Sequence, residues 1–183
     1  MKKIRVDFDE LQKAAEDTER EAFDYFLDRQ NGEIIILSVE IIALAQEILA
    51  KSYDEDNGDF EDVELDEIPE IPEWMEDEIE LALDLFMQDR DCYERIPERR
   101  QADAYSAMKA FAETLEDRQL GAALLHALDG NGSFRKFKNL LGPHPKERKL
   151  WYGFNAKAVR KEIDEWLASL GIESDIPWPA GNF

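Results

Sequence analysis

Cysteine is almost missing from this chain: Cys92 stands alone among 183 residues. No intramolecular disulfide and no thiolate metal cage can form, and a single thiol is expected as inert packing rather than as a nucleophile. Histidine is nearly as scarce. His126 and His144 have no cysteine near them and form no His-x-x-x-His pair, so a zinc site is not expected. Long apolar runs are lacking too, and none approaches the ~20 residues of a membrane span. The start "MKKIRVDFDE" carries two lysines with no apolar stretch behind them, so it does not read as a secretory signal. These absences point to a cytosolic chain with no membrane partner, no metal and no cofactor. No internal repeat is visible.

What the chain has is carboxylate. Net charge is −21, yet apolar residues make up 44% and aromatics 10%, enough to build a packed core. The charge is unevenly spread. Residues 51–89 hold 17 acids against one lysine, whereas residues 130–161 hold nine Lys and Arg against one glutamate. The first stretch would attract basic surfaces, and the second anionic ones.

Periodicity predicts a first helix over 7–20, capped by Asp7 or Asp9. "YFLDRQNGEIIILS" then reads as strand 23–28, a turn in which Asn31 and Gly32 supply positive φ, and strand 33–38. Ile34, Ile35, Ile36 and Leu37 do not alternate with polar residues, which predicts a strand covered on both faces. A helix over 39–52 follows. The acid-rich 54–73, with Pro69 and Pro72, reads as a linker loop. Further helices are predicted over 74–90, 99–115, 117–128, 133–141, 145–153 and 156–170, the last capped by Asn155 and stopped by Gly171. "DCYERIP", residues 91–97, reads as a short extended piece ended by Pro97. The fold class is therefore α+β, mainly helical. A small N-terminal β-hairpin lobe (1–53) is covered by helices; it leads through the acidic linker (54–73) to a helical bundle (74–172) and an irregular tail (173–183).

Among the candidate sites, "GNGSFRKFKNLLGPHPKERK", residues 130–149, carries most interest. Gly130 and Gly132 suit a left-handed helix end, with Ser133 capping the next helix. A P-loop needs Gly-x-x-x-x-Gly-Lys-Ser/Thr after a strand, and this stretch follows a helix. Phe134, Phe137, Leu140 and Leu141 share one helix face, leaving Arg135, Lys136 and Lys138 outward. With Lys149 and Lys157 they form a candidate partner-binding or nucleic-acid-binding surface, which Lys146, Arg148, Arg160 and Lys161 extend. Trp151 and Phe154, at i and i+3, fit a buried face better than a base-stacking platform. In the acidic stretch, aligning Gly58 with the turn glycine of an EF-hand puts Tyr53 where the first aspartate belongs, so a calcium loop is not expected. His126, late on its helix, reads as partly buried or facing the helix dipole. With 43 acids, no single carboxylate pair is informative.

The segments "AYSAMKAFAETLEDRQLGAALLHALDGNGSFRKFKNLL" and "ERKLWYGFNAKAVRKEIDEWLASLGI" resemble a bacterial group catalogued as uncharacterised protein family 0158. "YFLDRQNGEIIILS" is similar to that group's Leu-Asp-x-x-Thr-Gly-Glu hairpin, with Asn31 in place of Thr. The resemblance runs from residue 23 to 172. It implies a bacterial cytosolic protein and supplies no catalytic residue. Three functional readings stand: a non-enzymatic interaction protein docking a partner protein through its acidic or basic surface; a nucleic-acid-associated regulator using 133–161; and an enzyme whose site is hidden in the sequence.

Overall fold

The computed structural model describes residues 1–54, 59–60, 71–87 and 92–175. It is mainly helical, with a small sheet. The expected linker 54–73 and tail 173–183, like the calcium-loop alignment around Gly58, lie mostly outside the described residues.

Strand β1 (Lys2–Ile4) opens the chain and pairs in parallel with the last strand, β7 (Ile172–Ser174). Helix α1 (Phe8–Glu16) is capped by Asp7, whose carboxylate accepts from Asp9 N at 3.0 Å and Glu10 N at 3.1 Å. It stops short of residue 20 because the chain reverses at Arg20, which sits at φ +44° with its side chain buried. Arg20 Nη2 donates to Ala14 O at 3.0 Å and Nε to Asp17 O at 3.2 Å, so the side chain closes the reversal and satisfies orphan carbonyls of α1.

The hairpin β2 (Phe23–Asp28) and β3 (Ile34–Ser38) forms as expected, except that Asn31 is not in the left-handed region. Gly32 takes the positive φ alone, at +84°, and a Cβ there would lie 2.1 Å from Arg5 O. Glycine is thus required both for the turn and for the approach of the β1–α1 connection. After helices α2 (Val39–Ser52) and α3 (Glu76–Met87), with the short pair β4 (Tyr53–Asp54) and β5 (Asp59–Phe60) between them, β6 (Tyr93–Arg95) joins the sheet. Its strand order is β3-β2-β6, antiparallel throughout. The extended piece before Pro97 is therefore a third strand.

Phe26 and Leu27, neighbours on the central strand, are both buried because both faces of β2 are covered. Phe26, Ile35 and Leu37 pack against Ile41, Ala45 and Ile48 of α2 and Ile79 and Ala82 of α3. Leu27 faces Leu11 and Ala14 of α1, Ile96, and the C-terminal half of α7 (Pro145–Ser169) through Val159, Ile163 and Leu167. So α3 and β6, expected with the bundle, pack with the hairpin. The strand expected to be covered on both faces, β3, is instead an edge, and its Ile36 is exposed. Cover on both faces is complete only at Phe26 and Leu27 of the central strand.

A separate core joins α4 (Gln101–Thr114), α5 (Arg118–Ala127), α6 (Ser133–Leu141) and the N-terminal half of α7. Tyr105, expected inward, lies mostly on the surface. Helix α7 is a single 25-residue helix where the sequence predicts two. Asn155 makes no cap: its Oδ1 accepts from Arg99 Nη1 at 2.7 Å and its Nδ2 donates to Glu16 Oε1 at 3.0 Å. A side chain that finds partners elsewhere in the fold does not compete for its own backbone, and the helix continues.

Candidate functional site

The basic face starts from its inward side. Phe137 is fully buried, with its ring centroid 5.1 Å from Trp151 and 6.4 Å from Phe111. Phe154 lies 5.6 Å from Phe111, and Phe134 packs on the same cluster, both partly buried. These edge-on rings fix α6 and α7 against α4. With Phe137 and Leu141 inside, Arg135, Lys136 and Lys138 are exposed on α6, and Lys149 and Lys157 on α7. Leu140, expected inward, is partly exposed at the rim. The cap of α6 is Gly132 in the left-handed region, φ +71°, with no side-chain hydrogen bond; Ser133 is the first helical residue rather than the cap. Gly132 can hold the positive φ that ends the preceding turn and the helix starts one residue later.

A groove of about 670 Å³ opens between the end of α4, the start of α5 and α7. Its floor is Phe111, Leu115, Leu150 and Phe154; Lys146, Lys149 and Lys157 stand along its α7 side with Glu147 among them, and Glu116 and Asp117 stand on the α4–α5 side. Gly153, one turn on from Leu150, adds no side chain there. Asp117, at the far end, spends its carboxylate on capping α5, accepting from Gln119 N and Leu120 N at 3.0 Å each. The groove thus unites Lys149 and Lys157, while Arg135, Lys136 and Lys138 occupy the exposed face of α6 outside it. Leu150 was not singled out from the sequence. The signal was present: an apolar residue out of phase with the Trp151–Phe154 stripe, at helical spacing from Lys146, Gly153 and Lys157.

The other polar clusters are internally paired. Asp24 bridges Arg20 and Arg95, the latter at 2.6 Å, and Arg95 Nη2 reaches Glu98 at 2.7 Å. The Arg95 guanidinium holds the Glu98 carboxyl below its ordinary range. The Tyr25 hydroxyl, donating to Asp17 Oδ2 at 2.8 Å, holds Asp17 low and is itself pushed up. Among the described residues no buried side-chain polar atom lacks a partner, and no group of three or more His, Cys, Asp or Glu is placed to hold a metal. His126 is exposed at its helix end, 3.8 Å from Asp129, rather than partly buried.

These shifts set a pH dependence. A carboxyl whose folded pKa is depressed stabilises the fold fully above its unfolded value, about 3.9 for Asp and 4.3 for Glu. That contribution drains away as pH falls through the lower folded value. The urea midpoint is expected to be flat near neutrality and to fall below about pH 4. Tyr25→Phe, by releasing Asp17, should make that acid limb shallower; an unchanged limb would mean the Tyr25–Asp17 bond does not persist in solution.

No helix among the described residues is long and apolar enough to cross a membrane. No curated protein and no solved structure matches the chain. The family described as "Uncharacterised protein family (UPF0158)" matches over residues 46–176, which runs from the second half of α2 through β7 and leaves the hairpin outside. Covering well over half of the sequence, that match establishes that the chain belongs to the UPF0158 family.

Proposed function

We propose that this protein is a non-enzymatic, cytosolic docking protein whose α7 groove takes an acidic amphipathic segment of a partner protein. One observation carries the reading. Leu150 is half exposed on an apolar floor while Lys146, Lys149 and Lys157 stand beside it, within a chain of net charge −21. Isolated exposed leucines need no account, but one sunk between cations in a groove offers the two contacts an acidic amphipathic helix makes, apolar at the base and ionic at the edge. Arg135, Lys136 and Lys138 on α6 would steer the approach of an anionic partner rather than seat it.

The nucleic-acid reading weakens on one point. Phe134, Phe137, Trp151 and Phe154 are turned toward the core, which leaves Tyr152 as the exposed aromatic among them. Stacking platforms need more than that.

Fluorescence anisotropy with three labelled probes tests this: an acidic amphipathic helical peptide, a scrambled peptide of the same composition, and a single-stranded oligonucleotide. The amphipathic peptide should bind, and Leu150→Asp or Lys149→Glu with Lys157→Glu should weaken it by at least about tenfold. Equal binding of the scrambled peptide, or preference for the oligonucleotide with a steep salt slope, would overturn the proposal.

A further inference from the structure

The sheet has an open edge with a definite chemistry. β3 pairs with β2 on one side, and among the described residues no strand pairs with its other side. The hydrogen-bond register says which groups face out. Asp28 N donates to Glu33 O at 2.9 Å and Val39 N to Ala22 O at 3.0 Å, at the two ends of the ladder. Pairs alternate between bonded and non-bonded in an antiparallel ladder. Ile35 and Leu37 therefore bond inward to Phe26 and Asp24, and Ile34 and Ile36 turn their N–H and C=O groups to the open edge, while Ser38 caps α2. Exposed apolar side chains lie near this edge: Ile36 of β3 is 52% exposed, Phe23 of β2 47%, and Val39, the first residue of α2, 40%. Phe23 and Ile36 share a face, diagonal across the ladder, and stay open because α1 and α7 cover that face only as far as Tyr25 on β2 and Ile34 on β3. Around them Glu19, Glu21, Glu33 and Glu40 are exposed.

We propose that this edge docks an extended segment of a partner protein, apolar at its centre and flanked by Lys or Arg, as an added antiparallel strand. The outward backbone groups specify a strand. The Phe23–Ile36 patch specifies apolar side chains opposite it. The glutamates specify basic flanks, and they also disfavour a second copy of this acidic chain, which would bring like charges together along the joint. The surface is separate from the α7 groove and asks for a partner of opposite sign.

The probe is a fluorescein-labelled peptide, Lys-Lys-Val-Thr-Val-Thr-Val-Lys-Lys, measured by anisotropy against the full chain. It should bind. The same peptide with Glu in place of each Lys, and one N-methylated throughout its central five amides, should each bind at least about tenfold more weakly. Ile36→Pro removes an outward N–H while sparing the bonds to β2, and Ile36→Lys places a charge at the patch centre. Either should abolish binding, with far-UV circular dichroism reporting that the variant is folded. Equal binding of the methylated peptide, absence of binding by the plain one, or a dimer in sedimentation velocity that Ile36→Lys dissolves would each overturn the proposal. Because the α7 variants leave this edge intact, they should bind the peptide as the parent does.

Discussion

Phe137→Ala should cost about 3–5 kcal/mol of unfolding free energy, read as a fall in the urea midpoint with little change in slope. The ring is fully buried and touches Trp151 and Phe111, so truncation removes its own transfer energy and leaves a cavity walled by two rigid aromatics that cannot collapse into it. Against a typical domain stability of about 5–15 kcal/mol, that is a large fraction. Tyr152→Ala supplies the contrast. It truncates another ring of the same basic segment, but one that is largely exposed, and it should stay within about 0.5 kcal/mol of the parent. Phe137→Leu, which keeps most of the volume, should lose less than half of what the alanine loses. If Phe137→Ala and Tyr152→Ala prove equally mild, the aromatic residues of this segment are not the inward side of the bundle. The cationic face would then have to be reread as a stacking surface.

Those two rings also show why the helical half of the fold is readable from sequence. Phe134, Phe137 and Leu141 recur at i, i+3 and i+7, and Trp151 and Phe154 at i and i+3, and that spacing alone separates the buried stripe from Lys136, Lys138 and Tyr152. Helix α6 falls at 133–141, as its periodicity requires. Local patterning fails where partners come from far along the chain. β1 is three residues with no pattern of its own, and it exists because β7, about 170 positions later, lies beside it. β6 reads as extended because of the tyrosine and the proline, but nothing local names β2 as its neighbour. The run Ile34 to Leu37 misleads in the opposite direction. Four apolar residues in a row imply cover on both faces, yet Ile36 is left open because α1 and α7 are aligned on the central strand. That local disagreement between composition and burial is what leaves the β3 edge open to the strand addition proposed above.

The candidate groove was half visible. Its cations stand out as the positive block of an acidic chain, and that block alone points to Lys149 and Lys157. Its floor was not visible, because Phe111 and Leu115 belong to another helix and meet Leu150 only through the crossing of α4 and α7. A one-dimensional pattern records which side of a helix is apolar; it does not record that a second helix ends early enough to leave Leu150 uncovered.

The adjacent pair Arg99 and Arg100 sets the hardest limit on such reading and carries the second large effect. In "PERRQ" the two arginines are indistinguishable, yet the Arg99 side chain is 7% exposed and that of Arg100 79%. Arg99 binds Glu162 through both Nε and Nη2 at 2.8 Å, donates from Nη1 to Asn155 at 2.7 Å, and its backbone N–H donates to Ala15 O at 2.7 Å. One residue thereby ties the segment after β6 to α1 and to the middle of α7, where the hairpin core meets the bundle. Arg99→Met should cost about 2–3 kcal/mol. A fully buried pair would lose about 3–5 when one partner goes, and the discount reflects Glu162, whose side chain is 27% exposed and can recover some water. Arg99→Lys keeps the charge but cannot reproduce the planar fork, so it should fall between parent and Met. Arg100→Met, losing an exposed pair with Asp103 at 2.6 Å, should change stability by less than about 1 kcal/mol. A double-mutant cycle of Arg99→Met with Glu162→Gln should give a coupling energy above about 0.5 kcal/mol, because the two side chains share one bidentate contact. Additive losses, or an Arg99→Met midpoint no lower than that of Arg100→Met, would show that the junction is held by the apolar contacts of Val159 and Ile163 alone, with the arginine as their passenger.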